Sequence, residues 1–307
     1  MEGEPVRIGL VGLDSSHVLA FLGLFNGPPC GPERVHGARV IGAFRAGSPE
    51  IEASRVRIDR FTQEAVERYR IRLYDSIEQL CREVDALMIL SVDGRQHLEQ
   101  FRQTTAWRKP VFIDKPLGGS LHDACAIMSL SHATGAPCFS ASSFRYLPDS
   151  PWNELCGIGR ITAAFSYGPA DREPHHPDLF WYGIHAVEAL YTALGTGCKT
   201  VVRSVGEHAD VVTGVWHDGR VGTVTGNRGG FRGHGIAVVG TQGFASGGTQ
   251  HSYKPLAREI LRFFQTRTSP VALEATVEIH AFMEAADESK RQGGRPVSID
   301  SVMATAR

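Results

Sequence analysis

Four short apolar runs, each followed by a stretch with helical spacing, constrain the fold of this chain more than any other feature. They are VRIGLVG (residues 6–12), ARVIGAF (38–44), DALMIL (85–90) and PVFIDKP (110–116). After Asp85 the third run is wholly apolar. A strand with one wet face alternates polar and apolar residues. An unbroken apolar run is buried on both faces, as in a parallel sheet covered by helices. The segments SSHVLAFLGLF, TQEAVERY, RQHLEQFRQTTAW and SLHDACAIMSLSHATG read as helices, the last ending at Gly135. IRLYDSIEQLCREV adds a short strand and a helix, and APCFSASS (136–143) a further strand. This order predicts an α/β fold with a doubly wound, parallel Rossmann sheet over residues 1–144.

From Arg145 onward the texture changes. ITAAFSYG (161–168), DVVTGVWHDG (210–219) and HGIAVVGTQG (234–243) have strand character with glycine turns, interrupted by the helical IHAVEALYTALG (184–195). LAREILRFF (256–264) is helical. A second helix carries Ala275, Ile279, Phe282 and Ala286 on one face and ends at Gly293 and Gly294. Residues 145–307 are therefore predicted to form an α+β domain with a mainly antiparallel open sheet.

A chain of 307 residues that is 42% hydrophobic can bury the cores of two such domains. Its net charge of −1 gives no basic excess for nucleic acid or an anionic membrane surface. Cys30, Cys81, Cys125, Cys138, Cys156 and Cys198 are scattered without a C-x-x-C pair, which predicts buried free thiols and no disulfide frame. No apolar run reaches about 18 residues, and no secretory pattern precedes the first strand. The expected setting is cytoplasmic.

Four stretches together resemble the Gfo/Idh/MocA family of NAD(P)-dependent oxidoreductases: SVDGRQHLE (91–99), FIDKP (112–116), FWYGIHAVEAL (180–190) and the C-terminal segment from FFQTRTSP onward. The resemblance runs through nearly the whole chain. It implies a nicotinamide cofactor, a hydroxylated small-molecule substrate such as a polyol or sugar, and a homodimer or homotetramer. The family's E-K-P stands here as Asp114-Lys115-Pro116, so the resemblance makes Lys115 the group that polarises the reacting oxygen. His97 matches a family histidine, while Val92-Asp93 replaces its Pro-Asn. Gly183-Ile184-His185 matches the second-domain signature, but Trp181 holds the place of its aspartate. His185 is then expected to move the proton, with Tyr182 beside it as a second hydroxyl. Glu188 lies on the same helix face as His185.

The glycine fingerprint G-x-G-x-x-G is mostly missing. Gly12 keeps the tight-turn position, whereas Asp14 and His17 replace the glycines for phosphate approach and close helix packing. Asp14 either repels the pyrophosphate or accepts from the helix N–H groups. Ser15 and Ser16 are helix-capping residues whose hydroxyls can donate to a phosphate. Arg45 stands where an acidic residue would hold the ribose of NAD, which favours NADP over NAD. Ser91, His97, Asp114 and Lys115 complete the expected cofactor set. The substrate set is His97, Lys115, Arg145, His176, Trp181 and His185. His175, His176, Asp178 and His185 are dense in ligating atoms, but adjacent histidines on extended chain point to opposite faces, and no metal site is assigned. A lyase, hydrolase or epimerase on this fold, or a cofactor-free sugar-binding relative, are the alternative functions.

Overall fold

The protein was analysed as a computed structural model that describes residues 4–28, 33–151 and 155–306. The chain divides into two compact units. The first comprises Met1–Gly119, Ala126–Ala141 and Tyr253–Leu273, and the second Ser120–Cys125, Ser142–Ser252 and Glu274–Arg307. The path is thus more interleaved than one break at 144/145.

In the first unit six strands form a fully parallel sheet: β1 (Val6–Val11), β2 (Ala38–Phe44), β3 (Arg72–Tyr74), β4 (Ala86–Ile89), β5 (Val111–Ile113) and β6 (Cys138–Phe139), in the order β3-β2-β1-β4-β5-β6. The unbroken apolar runs are its centre: Ile8, Leu10, Leu87, Met88, Ile89, Phe112 and Ile113 are all fully buried. Reversal of strand order at β1 and β4 opens a crevice at the carboxyl ends of the strands, where α/β sheets take their ligands. The amphipathic helix Lys254–Thr266, which the sequence places in the second domain, packs in this unit. Its stripe of Leu256, Ile260 and Phe263 is buried, and the rings of Phe21, Phe112, Phe139 and Phe263 meet in sequence at 6.1, 5.2 and 4.9 Å. β6 is shorter than the expected 136–143 strand. The Ser142 hydroxyl accepts from Phe144 N at 3.0 Å and turns the chain into a single 3₁₀ turn over Ser143–Tyr146.

The second unit holds a seven-stranded sheet: β7 (Ile161–Pro169), β8 (Cys198–Val205), β9 (Ala209–Trp216), β10 (Val221–Asn227), β11 (Gly235–Gly240), β12 (Phe244–Gly247) and β13 (Val297–Ser298). Their order is β12-β11-β7-β10-β9-β8-β13, with only the β7–β10 pair parallel. The helix Ile184–Leu194 covers one face, above Ala164, Val212, Trp216 and Val224. Inside this unit Arg203 of β8 is fully buried. Its guanidinium bonds Asp178 at 2.8 Å and also Asp210 and Asp287. Burial pushes the Asp287 carboxyl up to about 6, with Arg203 opposing and Asp178 and Glu284 reinforcing the rise.

Cys81, Cys125, Cys138 and Cys198 are buried free thiols. Cys30 and the Cys156 side chain lie outside the described residues. Among the described residues, no helix is long and apolar enough to cross a membrane.

Candidate active site

The loop after β1 is built around Gly12. Its φ is +90°, and a Cβ there would lie 2.3 Å from Ser91 Oγ and 2.5 Å from Ser91 N, so only glycine fits. The helix Ser16–Asn26 follows. Ser15 caps it, accepting from His17 N at 3.2 Å, while Ser16 is exposed and no acidic residue sits in the first turn. Asp14 does not cap this helix, contrary to one of its two expected roles. Its Oδ1 accepts from Val92 N at 3.0 Å, and the side chain is buried. Burial raises its pKa above the usual aspartate value, against the pull of the Ser54 hydroxyl and the Val92 N–H. Asp14 therefore ties the loop after β1 to the loop after β4.

The residues after β4 are also committed to one another. Ser91 is buried, and its hydroxyl accepts from Gln100 Nε2 at 2.8 Å, so it is not open to a nucleotide as expected. His97 is fully buried, with Nδ1 at 2.9 Å from the Pro116 carbonyl and Nε2 at 2.8 Å from the Ser91 carbonyl. Both nitrogens thus face backbone oxygens. His97 braces the Ser91 loop against the Lys115–Pro116 loop, whose peptide bond is cis, and does not face a ligand. Asp93 holds Arg95, which reaches Glu50 at 2.7 Å.

At the end of β5, Asp114 is buried with both oxygens engaged. Oδ1 accepts from Lys115 N at 2.8 Å, and Oδ2 lies 2.5 Å from His17 Nδ1. Burial alone would raise the Asp114 value, but His17 and Lys115 outweigh it and hold the carboxyl below the ordinary range. Lys115 is half-buried. Desolvation lowers its value and the Asp114 charge opposes that fall. Tyr253 packs its ring 4.9 Å from the His17 ring.

Beyond β2 a cavity of about 410 Å³ is lined by Phe44–Pro49 together with Ser54, Arg55 and Ile58. Two arginines and two serines face it, and no carboxylate. Arg45 bonds the exposed Asp59 at 2.6 Å.

In the second unit His185 is buried at the start of its helix, its Nδ1 2.6 Å from Ser142 Oγ. Phe144 and Tyr182 flank the ring at 4.8 and 5.7 Å. Tyr182 is about one-third exposed, with Arg232 over its ring at 5.9 Å. Trp181 lies 5.1 Å from His176, and Glu173 anchors His175 and His176 at 2.9 and 3.0 Å. Arg145 does not offer an open guanidinium. It forms a buried pair with Glu188, both contacts at 2.8 Å. Burial raises the Glu188 value and Arg145 opposes it.

The sequence does not single out Ser142, Gln100 or Tyr253. Only Ser142 carries a local signal, the serine run before Phe144, since serines compete with strand ladders by bonding nearby backbone.

Residues 32–142 match the model of an oxidoreductase family with an NAD-binding Rossmann fold. No curated protein matches the chain by sequence. Among solved structures, GenD2 from gentamicin A biosynthesis, in complex with NAD, is 17% identical with a TM-score of 0.76 over 97% of both chains. A putative NADPH-dependent oxidoreductase from Desulfitobacterium hafniense is 16% identical, with a TM-score of 0.79 over 98% of this chain and 99% of that one. Myo-inositol dehydrogenase from Lactobacillus casei, in complex with NAD(H) and myo-inositol, is 15% identical, with a TM-score of 0.74 over 96% of both chains. These likenesses show the shared fold. Over residues 32–142 the chain is similar to the NAD-binding Rossmann domain of the Gfo/Idh/MocA oxidoreductases.

Proposed function

We propose that this protein is an NADP-preferring dehydrogenase acting on a hydroxyl group of a polyol, sugar or similar small molecule. The cavity after β2 carries the cofactor reading. It offers Arg45, Arg55, Ser48 and Ser54 where a 2′-phosphate needs cations and donors, and it has no acid to pair a free ribose 2′-hydroxyl. The residues of the β1 loop fit the pyrophosphate. Gly12 makes the turn, Ser16 is exposed on the first turn of the helix, and Asp14 is tied to Val92. When bound, the nicotinamide supplies a hydride acceptor or donor for the substrate carbon. Lys115, half-buried beside Asp114, supplies an ammonium that stabilises charge growing on the substrate oxygen. Trp181 and Tyr182 offer flat rings for the apolar faces of a sugar.

Fluorescence titration tests the cofactor choice. NADPH is expected to bind at least about tenfold tighter than NADH, the scale of one charge-assisted hydrogen bond, and Arg45→Asp to reverse the order. Equal affinities would remove Arg45 from the site.

The outward face of the second sheet supports a homo-oligomer. Phe165, Tyr167, Val211, Val215, Val221 and Phe244 are exposed on it. In register, the neighbouring outward positions of β7 to β12 hold threonine, serine, alanine, glycine, valine and Asn227, and Lys199 is exposed at the start of β8. A face this rich in apolar and small residues suits a second copy of itself. Phe165→Glu is expected to shift the wild-type dimer or tetramer to monomer in sedimentation velocity, and a wild-type monomer would refute the assignment.

A further inference from the structure

We propose that His17 and Asp114 form a proton-transfer pair, in which His17 Nε2 takes the proton of the substrate hydroxyl and Asp114 is the positioning residue behind it. The assignment rests on the dehydrogenase reading above and adds to it the atom that receives the proton.

The two residues are 97 positions apart and meet at 2.5 Å. Each stands at a departure from the family pattern: His17 at the third fingerprint glycine, and Asp114 at the glutamate before Lys115-Pro116. A carboxylate only accepts, so Nδ1 of His17 carries a proton, and in the neutral imidazole the lone pair lies on Nε2. Asp114 cannot swing away, because its other oxygen holds Lys115 N at 2.8 Å. The imidazole is fixed as well. It sits in the first turn of a helix capped by Ser15, with Tyr253 at 4.9 Å and Phe21 at 6.4 Å about its ring. It keeps 9% exposure, so it is reachable at one edge. An imidazole fixed in one tautomer by a carboxylate, one residue from the Lys115 ammonium, is the arrangement a general base requires.

The step balances. With an oxidised nicotinamide nucleotide held at the β1 loop, that group would accept the electron pair of the carbinol C–H bond as hydride. The O–H bond breaks, its proton goes to His17 Nε2, and its electron pair closes the C=O bond. Asp114 stays ionised and faces the imidazolium that forms.

His17→Gly restores the fingerprint glycine and separates this role from a packing role. Wild-type protein is first titrated with NADP⁺ and assayed on a panel of polyols and aldoses. In His17→Gly, nucleotide affinity is expected to hold or tighten while kcat falls at least about 100-fold with KM little changed. Added imidazole is expected to recover at least about tenfold of that loss. His17→Gln is the companion that keeps side-chain bulk, and Asp114→Asn is expected to cost at least about tenfold in kcat. In nucleotide-free protein, diethyl pyrocarbonate is expected to modify His17, mapped by peptide mass spectrometry, and NADP⁺ to slow that reaction. Wild-type turnover with near-normal kcat in His17→Gly overturns the pair while the dehydrogenase reading stands. So does a loss that tracks nucleotide affinity and ignores imidazole. A wild-type protein that neither binds nucleotide nor turns over any panel member overturns the dehydrogenase reading, and the pair with it.

Discussion

His17 and His185 are both buried imidazoles with Nδ1 committed to a neighbour, and the neighbour decides what Nε2 can do. Behind His17 stands the Asp114 carboxylate, which accepts and so keeps the proton on Nδ1. Behind His185 stands the Ser142 hydroxyl. Ser142 Oγ accepts from Phe144 N at 3.0 Å and lies 2.6 Å from His185 Nδ1, and a hydroxyl can either donate to that nitrogen or accept from it. The two neighbours thus differ: a carboxylate requires a proton on Nδ1, whereas a hydroxyl accommodates either tautomer. Family resemblance gives His185 the proton transfer, and the proposal above gives it to His17.

The largest effect that bears on this contrast belongs to Lys115. It shares the loop of Asp114, and in the proposed reaction it is the group placed where charge develops. Lys115→Met is expected to lower kcat at least about 100-fold with nucleotide affinity little changed, read by steady-state kinetics and fluorescence titration. An effect confined to KM would make Lys115 a binding residue and leave the first unit with no group for the transition state.

The parallel sheet was legible because burial on both faces writes itself as unbroken apolar runs. The second sheet was only partly so. β10 (VGTVTGN) carries glycine inside, since a Cβ on Gly222 would lie 2.7 Å from Leu194 Cδ1 and 2.8 Å from Trp216 Cζ3. Neighbouring side chains fill that core, so the strand shows no apolar alternation of its own. β8 (CKTVVRSV) hides in the same way, because its inward Arg203 is solvated by three aspartates from other elements. In the first unit, the tight turn at Gly12 and the loop position of Lys115 were readable from motif position. The direction of Asp14 was not, because whether a carboxylate faces the helix or Val92 depends on one side-chain torsion. Nor was the Arg145–Glu188 pair, which closes over 43 positions and withdraws an arginine that the sequence offers to substrate.

The smaller effect is expected at His185, and it sharpens the contrast most. With proton transfer assigned to His17, a contribution of His185 to substrate binding would be felt in the ground state and the transition state alike, which is uniform binding and shows in KM. His185→Gln keeps an N–H donor but shortens its reach and loses the ring that packs against Phe144 at 4.8 Å. KM is expected to rise about tenfold, near 1.4 kcal/mol for one hydrogen bond, with kcat changed no more than about threefold. Ser142→Ala removes the hydroxyl that holds Nδ1 at 2.6 Å and loosens the ring, so it should reproduce part of that KM rise with kcat intact. The same assay on His17→Gly gives the opposite split, kcat without KM. If instead His185→Gln loses kcat about 100-fold and His17→Gly does not, the roles are exchanged. Proton transfer would then belong to the second unit, and the Asp114 contact would serve only to hold the helix Ser16–Asn26 against the loop after β5.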